Sequence, residues 1–378
     1  MKYSIIVPVY NRPDEVDELL ESLSNQTQKA ASQREQSDAR INYAECEQAR
    51  QKFKDFEVII VEDGSVKTCK DVCDKYADIL VLHYYAKENS GPGQSRNYGA
   101  ERAQGDWLII LDSDVVLPEG YLAAIDDSLQ LCYAFGGPDA AHPSFTPIQK
   151  AISYSMTSFF TTGGIRGGKA KLDKFYPRSF NMGIRRDVYQ QLGGFSKMRF
   201  GEDIDFSYRI VEAGYKPQLI PEAWVWHKRR TDFRKFFRQV YNSGIARINL
   251  EKRHPGTLKL VHLLPTVFTI GIISLILISA VGRALMHYVD RDQFYWMCFA
   301  PWIPIILYSL IICIDSTIKN KSLKVGLLSI PAAFVQLMGY GLGFIESWWK
   351  RCVLKQNECS PCERTESERQ AFEQTFYK

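Results

Sequence analysis

The sequence lacks a large excess of charge of either sign. Among 378 residues, 47 are Lys or Arg and 43 are Asp or Glu, which leaves a formal net charge of +4. So small a net charge gives no reason to expect a nucleic-acid partner. Hydrophobic residues make up 46% of the chain and charged residues 24%, a balance that excludes wholesale disorder. At ~150 residues per domain, the length allows about two folded units.

Several local signatures are also missing. The first residues, MKYSIIVPVYNRPDE, contain no apolar stretch of signal-peptide length, so we expect no secretion signal. No glycine-rich fingerprint follows the first predicted strand, which argues against a dinucleotide-binding oxidoreductase. The Cys359–Cys362 pair has no second pair at zinc-ligand spacing, so we interpret the nine cysteines as reduced free thiols.

Long apolar runs are absent before residue 260 and frequent after it. Three runs without Asp, Glu, Lys or Arg cover residues 263–282, 294–314 and 325–345. About 20 helical residues cross the ~30 Å hydrocarbon core of a bilayer. We therefore predict a membrane region at 246–346 with two to three helices, followed by a polar tail at 347–378. The runs carry no charges to line a path, which argues against a transporter.

Basic residues around these runs predict the orientation of the chain. Ten Lys or Arg and two acidic residues lie between Trp226 and Lys259, whereas the loop 283–293 has two basic residues. This asymmetry predicts a multi-pass inner (plasma) membrane protein with a cytoplasmic N-terminal domain. Three spans would place the tail outside, but its basic residues favour the inside. Since Pro331 and several glycines interrupt the third run, a re-entrant or interfacial helix stays open.

The N-terminal part has the pattern of an α/β domain, which we assign to residues 1–245. A helix is predicted from Pro13, and the polar segment 29–54 is predicted to be an exposed helical insertion. Strands that alternate with helices indicate a mostly parallel sheet with crossover helices. The predicted strands are Tyr3–Val9, Phe56–Val61, Ile79–Tyr84 and Trp107–Leu111.

Acidic residues follow two of these strands. Asp63 comes after the second strand, and Asp112-Ser113-Asp114 comes after the fourth. Ligands of such sheets bind beyond the carboxyl ends of the strands. Two carboxylates two residues apart are able to hold a hard divalent cation that neutralises a diphosphate, although solvated Asp pairs are also common there. Arg96, in the glycine-rich segment before the fourth strand, offers a forked donor for phosphate or carboxylate.

Three further features lie between residues 200 and 245. Glu202-Asp203 begins a predicted helix, where the carboxylates either stabilise the helix start or include a base for an acceptor hydroxyl. His227 ends a Trp-Val-Trp-His segment typical of an edge strand, and it is a candidate third metal ligand. From Asp232 a basic amphipathic helix is predicted, which either contacts anionic headgroups or packs on the sheet.

Taken in order, these motifs resemble the family 2 inverting glycosyltransferases of the GT-A fold, especially bacterial membrane-anchored members. The resemblance covers roughly residues 3–245 and rests on the segments SIIVPVYNR, VIIVEDGS, NSGPGQSRNYGA, GDWLIILDSD, NMGIRRDVYQQLGGF, GEDIDFSYRI and WVWH. It implies a Rossmann-like α/β domain, a nucleotide-sugar donor and a divalent cation, Mn²⁺ or Mg²⁺.

The resemblance also implies roles for individual residues. The nucleotide site would comprise Pro8, Tyr10, Arg12, Asp63, Arg96, Asn97, Asp112 and Ser113, with Asp63 accepting from the base edge. Asp114 would be the direct metal ligand, Asp112 would share the metal site, and His227 would complete the shell. Asp203 of the Glu202-Asp203 pair would be the catalytic base. The segment Asn181–Gly183 would flank the donor sugar.

Two departures from the family pattern refine the expectation. The insertion at 29–54 replaces a short link, and no Gln-x-x-Arg-Trp motif follows His227. The second departure favours transfer of a single sugar over processive synthesis. The implied reaction moves one sugar, from a UDP-sugar by preference, to a hydroxyl of a lipid-linked or envelope glycan acceptor at the membrane. The alternative is an inactive nucleotide-sugar-binding scaffold of a glycan-assembly complex.

Overall fold

A computed structural model describes residues 1–26, 54–129, 132–142, 144–162, 175–285 and 298–356. The predicted insertion and most of the polar tail lie outside these residues. The described residues form two compact units. The first draws on Met1–His142 and Leu172–Lys228, and the second on Pro143–Lys171 and Arg229–Glu358. The first unit thus ends at Lys228, and the domain limit at 245 stays a prediction.

The first unit is built on a seven-stranded sheet and a three-stranded sheet. The strands are β1 Tyr3–Val9, β2 Phe56–Asp63, β3 Leu82–Lys87, β4 Trp107–Leu111, β5 Val115–Val116, β6 Ala134–Gly136, β7 Asp139–Ala140, β8 Asn181–Arg185, β9 Gln218–Leu219 and β10 Val225–His227. The larger sheet has the order β3-β2-β1-β4-β8-β6-β9, in which β8 alone runs antiparallel to its neighbours. The smaller sheet has the order β5-β10-β7.

The described helices are α1 Pro13–Ser24, α2 Lys70–Tyr76, α3 Pro92–Ala100, α4 Tyr121–Ser128, α5 Pro147–Thr157, α6 Phe159–Thr162, α7 Arg186–Gln191, α8 Glu202–Glu212, α9 Phe233–Arg253, α10 Leu264–Leu285, α11 Ile303–Asn320 and α12 Leu323–Trp348. The predicted mostly parallel α/β sheet followed by apolar helices is confirmed. The apolar face predicted for α1 is buried, with Val16, Leu19, Leu20 and Leu23 in the core beside β1.

Three strand predictions need correction. The second strand extends beyond Val61 to Asp63, so Asp63 is its last residue and does not follow it. The third strand begins at Leu82 rather than at Ile79. The amides of Ile79 and Leu80 instead donate to the Tyr76 carbonyl and close the last turn of α2. The Trp-Val-Trp-His segment is not an edge strand, because β10 lies in the middle of its sheet. It pairs antiparallel with β5 and parallel with β7.

The second unit is helical. Three stretches in it are long and apolar enough to cross a membrane, namely Leu260–Arg283, Ala300–Asn320 and Leu323–Val353. The predicted amphipathic helix is present as α9, and the side chain of Asp232 accepts from the Lys235 amide at its start. On its apolar face, Phe236 and Val240 pack with Ile152 and Met156 of α5. A β-carbon at Gly244 would lie 2.2 Å from the Tyr340 carbonyl oxygen, so α9 and α12 are in backbone contact.

Candidate active site

An acidic cluster forms where the two sheets of the first unit meet. Asp112 follows the last residue of β4, and Asp114 directly precedes β5. The antiparallel pairing of β5 with β10 aligns Val115 with His227. This register brings the imidazole Nε2 of His227 to 3.2 Å from Asp114 Oδ1. Two residues that are far apart in the sequence thus become neighbours through strand pairing.

The cluster fits a divalent cation. One ligand atom each from Asp112, Asp114 and His227 lies within 4.8 Å of the other two. Two carboxylates and one imidazole form a donor set that Mn²⁺ and Mg²⁺ accept. The ring of His227 stacks on Phe180, with 4.9 Å between the ring centroids, which holds the imidazole in one orientation. Ser113 is buried between the two carboxylates.

Arg12 contacts this cluster from the start of α1. Its Nη1 donates to Asp114 Oδ2 and to Glu15 Oε2, at 2.8 Å in each case. Burial by itself would lower the pKa of Arg12, but Asp114 and Glu15 outweigh it and raise the pKa. The guanidinium therefore stays charged and balances part of the negative charge of the cluster. Pro8 and Tyr10, predicted for the same pocket, are half-buried at the end of β1 and just beyond it.

Arg96 connects the cluster to the start of α8. The side chain is buried, with Nη2 donating to Asp112 Oδ1 at 2.8 Å and Nη1 donating to Glu202 Oε1 at 2.9 Å. Burial would lower the pKa of Arg96, but Asp112 and Glu202 raise it on balance. Because one guanidinium bridges the two acidic groups, the metal-binding cluster and the Glu202-Asp203 pair form one network.

The two acids at the start of α8 have opposite electrostatic environments. Burial raises the pKa of Glu202 despite the nearby Arg96. Burial acts in the same direction on Asp203, but Arg178 outweighs it and holds the pKa of Asp203 below its usual value. The Nε of Arg178 donates to Asp203 Oδ2 at 2.6 Å. The lowered pKa favours the ionised form of the Asp203 carboxylate.

Arg178 is a site residue that the sequence reasoning missed. Its segment matches none of the motifs, and the only signal is an arginine three residues before Asn181. Burial would lower the pKa of this guanidinium, but contact with Asp203 raises it. Arg178 thus contacts Asp203, while Arg96 contacts the neighbouring Glu202.

Two other residues that were predicted for the nucleotide site form hydrogen bonds with neighbouring groups of the protein. Asp63 accepts from the Ser90 and Gly91 amides, both at 2.9 Å, and from the Lys87 ammonium, so its carboxylate holds the loop before α3. The amide of Asn97 bonds to both backbone groups of Phe195. These bonds fix the side chain of Asn97, and its place in the nucleotide site stays a prediction.

The predicted donor-sugar segment is also part of the core. The Asn181 side chain accepts from the Tyr121 hydroxyl and donates to the Ala223 carbonyl, both at 2.7 Å. A β-carbon at Gly183 would lie 2.0 Å from the ring of Phe135. Both positions therefore stabilise the packing of β8 against its neighbours.

Comparison with known proteins agrees with this arrangement. The profile of glycosyl transferase family 2 matches residues 4–193, and that of glycosyl transferase family group 2 matches residues 107–313. The chain is 27% identical over 220 residues to a pre-mycofactocin glycosyltransferase of Mycobacterium tuberculosis, covering 52% of this chain and 43% of that protein. It is 28% identical over 241 residues to an uncharacterized glycosyltransferase of Haemophilus influenzae, covering 60% of this chain and 69% of that protein. The chain thus spans less than half the length of the first of these relatives.

The fold also resembles that of a solved glycosyltransferase. The mannosyltransferase PcManGT from Pyrobaculum calidifontis, solved with GDP-Man and Mn²⁺, superposes with a TM-score of 0.50 at 14% identity, covering 93% of this chain and 88% of that one. At this identity the likeness concerns the fold, and it confirms the predicted GT-A class. Because the glycosyl transferase family 2 profile matches more than half of the chain, this protein belongs to that family.

Proposed function

We propose that this chain is a membrane-bound inverting glycosyltransferase that moves a single sugar from a nucleotide-diphosphate sugar, a UDP-sugar by preference, to a hydroxyl of a lipid-linked or envelope glycan acceptor. The observation that carries the proposal is the continuous network from His227 through Asp114, Asp112 and Arg96 to the Glu202-Asp203 pair. A cation-binding cluster and an ionised carboxylate in one network are the two components that this reaction needs.

The donor would bind with its diphosphate at the acidic cluster. Asp112, Asp114 and His227 would hold Mn²⁺ or Mg²⁺, which when bound neutralises charge on the diphosphate leaving group. Arg12 contacts the Asp114 carboxylate and supplies a further positive charge beside it. The predicted contacts of Pro8, Tyr10 and Asp63 with the nucleotide remain part of the proposal.

Asp203 would carry out the proton transfer. Its carboxylate accepts the proton of the acceptor hydroxyl as the hydroxyl oxygen attacks the anomeric carbon. The bond from that carbon to the diphosphate oxygen breaks on the opposite side, and the electron pair leaves with the nucleoside diphosphate. The configuration at the anomeric carbon inverts. Arg178 and Arg96 keep the base ionised, because both contribute to the lowered pKa of Asp203.

The apolar helices support a membrane location for the acceptor. Three stretches of the second unit are long and apolar enough to cross a bilayer. The ten basic residues between Trp226 and Lys259 favour a cytoplasmic catalytic unit in the inner (plasma) membrane. An enzyme held there would act on a lipid-linked acceptor.

The test is nucleotide release by the full chain in detergent, with UDP-, GDP-, dTDP- and CMP-sugars, with and without Mn²⁺. Asp114→Asn and Asp203→Asn remove the proposed ligand and base. Asp187→Asn is the matched control, because Asp187 is an exposed carboxylate paired with Arg185 outside the network. The proposal predicts metal-dependent release from one donor, retained in the control and lost in both site variants.

Two outcomes would count against the proposal. Release that persists in Asp203→Asn would remove Asp203 as the base. Metal-dependent nucleotide binding without turnover, in the presence of membrane lipid extracts and glycan acceptors, would favour the inactive scaffold instead.

A further inference from the structure

The third apolar helix of the second unit differs from the other two. In the most apolar part of Leu323–Val353, 44% of the residues are buried within the protein. The corresponding share is 11% in each of Leu260–Arg283 and Ala300–Asn320. A helix surrounded by lipid exposes most of its side chains, as the first two do. The third helix is instead covered by protein along much of its surface, so its neighbours decide where it lies.

The C-terminal half of α12 runs parallel to α9. A β-carbon at Gly343 would lie 2.1 Å from the Tyr241 carbonyl oxygen. Further along, the Ser347 hydroxyl donates to the Ile245 carbonyl at 3.1 Å, and Lys252 Nζ donates to the Arg351 carbonyl at 2.6 Å. Small residues permit this close approach. Charged side chains exclude α9 from the hydrocarbon core, namely Arg234, Lys235, Arg238, Arg247, Glu251, Lys252 and Arg253.

The N-terminal half of α12 contacts α5, which, like α9, precedes the first apolar stretch. Ala151 of α5 packs in one cluster with Val325 and Ala332. Tyr154 of α5 packs with Ala333. Among the described residues, no candidate span precedes Leu260. From Val325 to Ser347, α12 is therefore in contact with helices that lie on the side of the membrane from which α10 enters.

The other two helices also meet α12. A β-carbon at Gly341 would lie 2.6 Å from the carbonyl oxygen of Pro265, in the first turn of α10. Helix α11 meets α12 from Ser316, which bonds to Ser329 at 2.6 Å, to Tyr308, whose ring centroid lies 6.4 Å from that of Phe334. At the far end of α10, Ser279 accepts from the Trp302 indole at 2.9 Å. Thus α10 and α11 run antiparallel, and α12 packs on the start of α10 and beside α11.

From these contacts we infer that only α10 and α11 cross the bilayer, and that α12 lies in the plane of the leaflet surface on the catalytic side, against anionic phospholipid. The exposed side chains of α12 and of the residues after it suit that surface. The apolar ones would contact the acyl boundary, namely Leu323, Leu327, Trp348, Trp349 and Leu354. The ammonium groups of Lys350 and Lys355 would contact the lipid phosphates. Two spans return the chain end to the catalytic side. This removes the conflict between three apolar runs and a basic tail, and it holds for any donor or acceptor.

Accessibility of single cysteines in the full chain tests the number of spans. The background replaces every cysteine except the buried Cys69, Cys73 and Cys132 by serine. Asp290→Cys reports on the loop after α10, and Gln356→Cys reports on the residues after α12. The inference predicts that a membrane-impermeant maleimide labels Asp290→Cys in intact cells and Gln356→Cys only after permeabilisation. Labelling of Gln356→Cys in intact cells, or of neither position, would overturn it.

Spin labels test whether α12 is in the plane. Leu327 and Leu354 are exposed and about 40 Å apart along an ideal helix, at 1.5 Å per residue. In bilayers containing phosphatidylglycerol, labels at these positions should have depths that agree within about one helical turn, ~5 Å. Labels at the exposed Ile270 and Leu277 of α10 are the matched control and should differ by about 10 Å. Depths at Leu327 and Leu354 on opposite sides of the bilayer would refute the in-plane position.

Discussion

Removal of the Arg178 guanidinium should make the Asp203 carboxylate easier to protonate. The two groups are joined by a 2.6 Å contact, with Asp203 12% exposed and Arg178 39% exposed. An opposite charge at this range lowers the pKa of an aspartate by about 1–3 units. Solvent around Arg178 screens part of the interaction but does not reverse its sign. In Arg178→Gln the pKa of Asp203 therefore rises.

The sign of the effect on catalysis follows from the role of the base. Asp203 acts only when it is deprotonated, so the acid limb of the pH profile of kcat/KM moves to higher pH. The profile is measured from about pH 5 to about pH 9 with the donor that the release assay identifies. Arg178→Lys keeps the charge and should move the limb less. Arg185→Gln is the matched control, because Arg185 pairs with the exposed Asp187.

An acid limb at the same pH in Arg178→Gln and in the parent protein would refute this reasoning. Loss of activity at every pH in a folded variant would also refute it, because a change in the pKa of the base leaves the rate above the limb nearly intact. The result therefore distinguishes an effect on the base from a direct contact between Arg178 and the donor.

Three further predictions concern the cation site and the packing. Asp114→Asn should weaken Mn²⁺ binding by about 10- to 100-fold or more, measured as free Mn²⁺ by electron paramagnetic resonance. Gly183→Ala should lower the melting temperature, because the new β-carbon would lie 2.0 Å from the Phe135 ring and overpacking costs about 1–3 kcal/mol. Gly343→Val should lower the melting temperature in detergent, because its β-carbon would lie 2.1 Å from the Tyr241 carbonyl oxygen and force α9 and α12 apart.

Gly271→Ala is the control for both glycine variants, because nothing lies within 4 Å of its added β-carbon. A melting temperature of Gly183→Ala or Gly343→Val equal to that of Gly271→Ala would contradict the packing argument. Unchanged Mn²⁺ affinity in Asp114→Asn would remove Asp114 from the cation site.

Local pattern was enough to predict much of the fold. The apolar runs Tyr3–Val9 and Trp107–Leu111 are strands with the predicted limits, because an uninterrupted buried run needs no information from elsewhere in the chain. The helix at Glu202 begins where its acidic first turn predicted. Ile79 was placed wrongly because a β-branched residue at the end of a helix has the same local signature as the first residue of a strand.

The sequence by itself determined which chemical groups are present and roughly where the strands and apolar helices run, since composition and periodicity are local properties. Tertiary structure decided which charges meet. Arg12 and Asp114 are 102 residues apart, and Arg178 and Asp203 are 25 apart, yet each pair is in hydrogen-bond contact. The same holds for α12, whose hydropathy suits a span, whereas its contacts with α5 and α9 carry our inference that it lies in the plane of the membrane. Hydropathy measures how readily a helix enters lipid, whereas its position depends on the protein surfaces that compete with lipid for it.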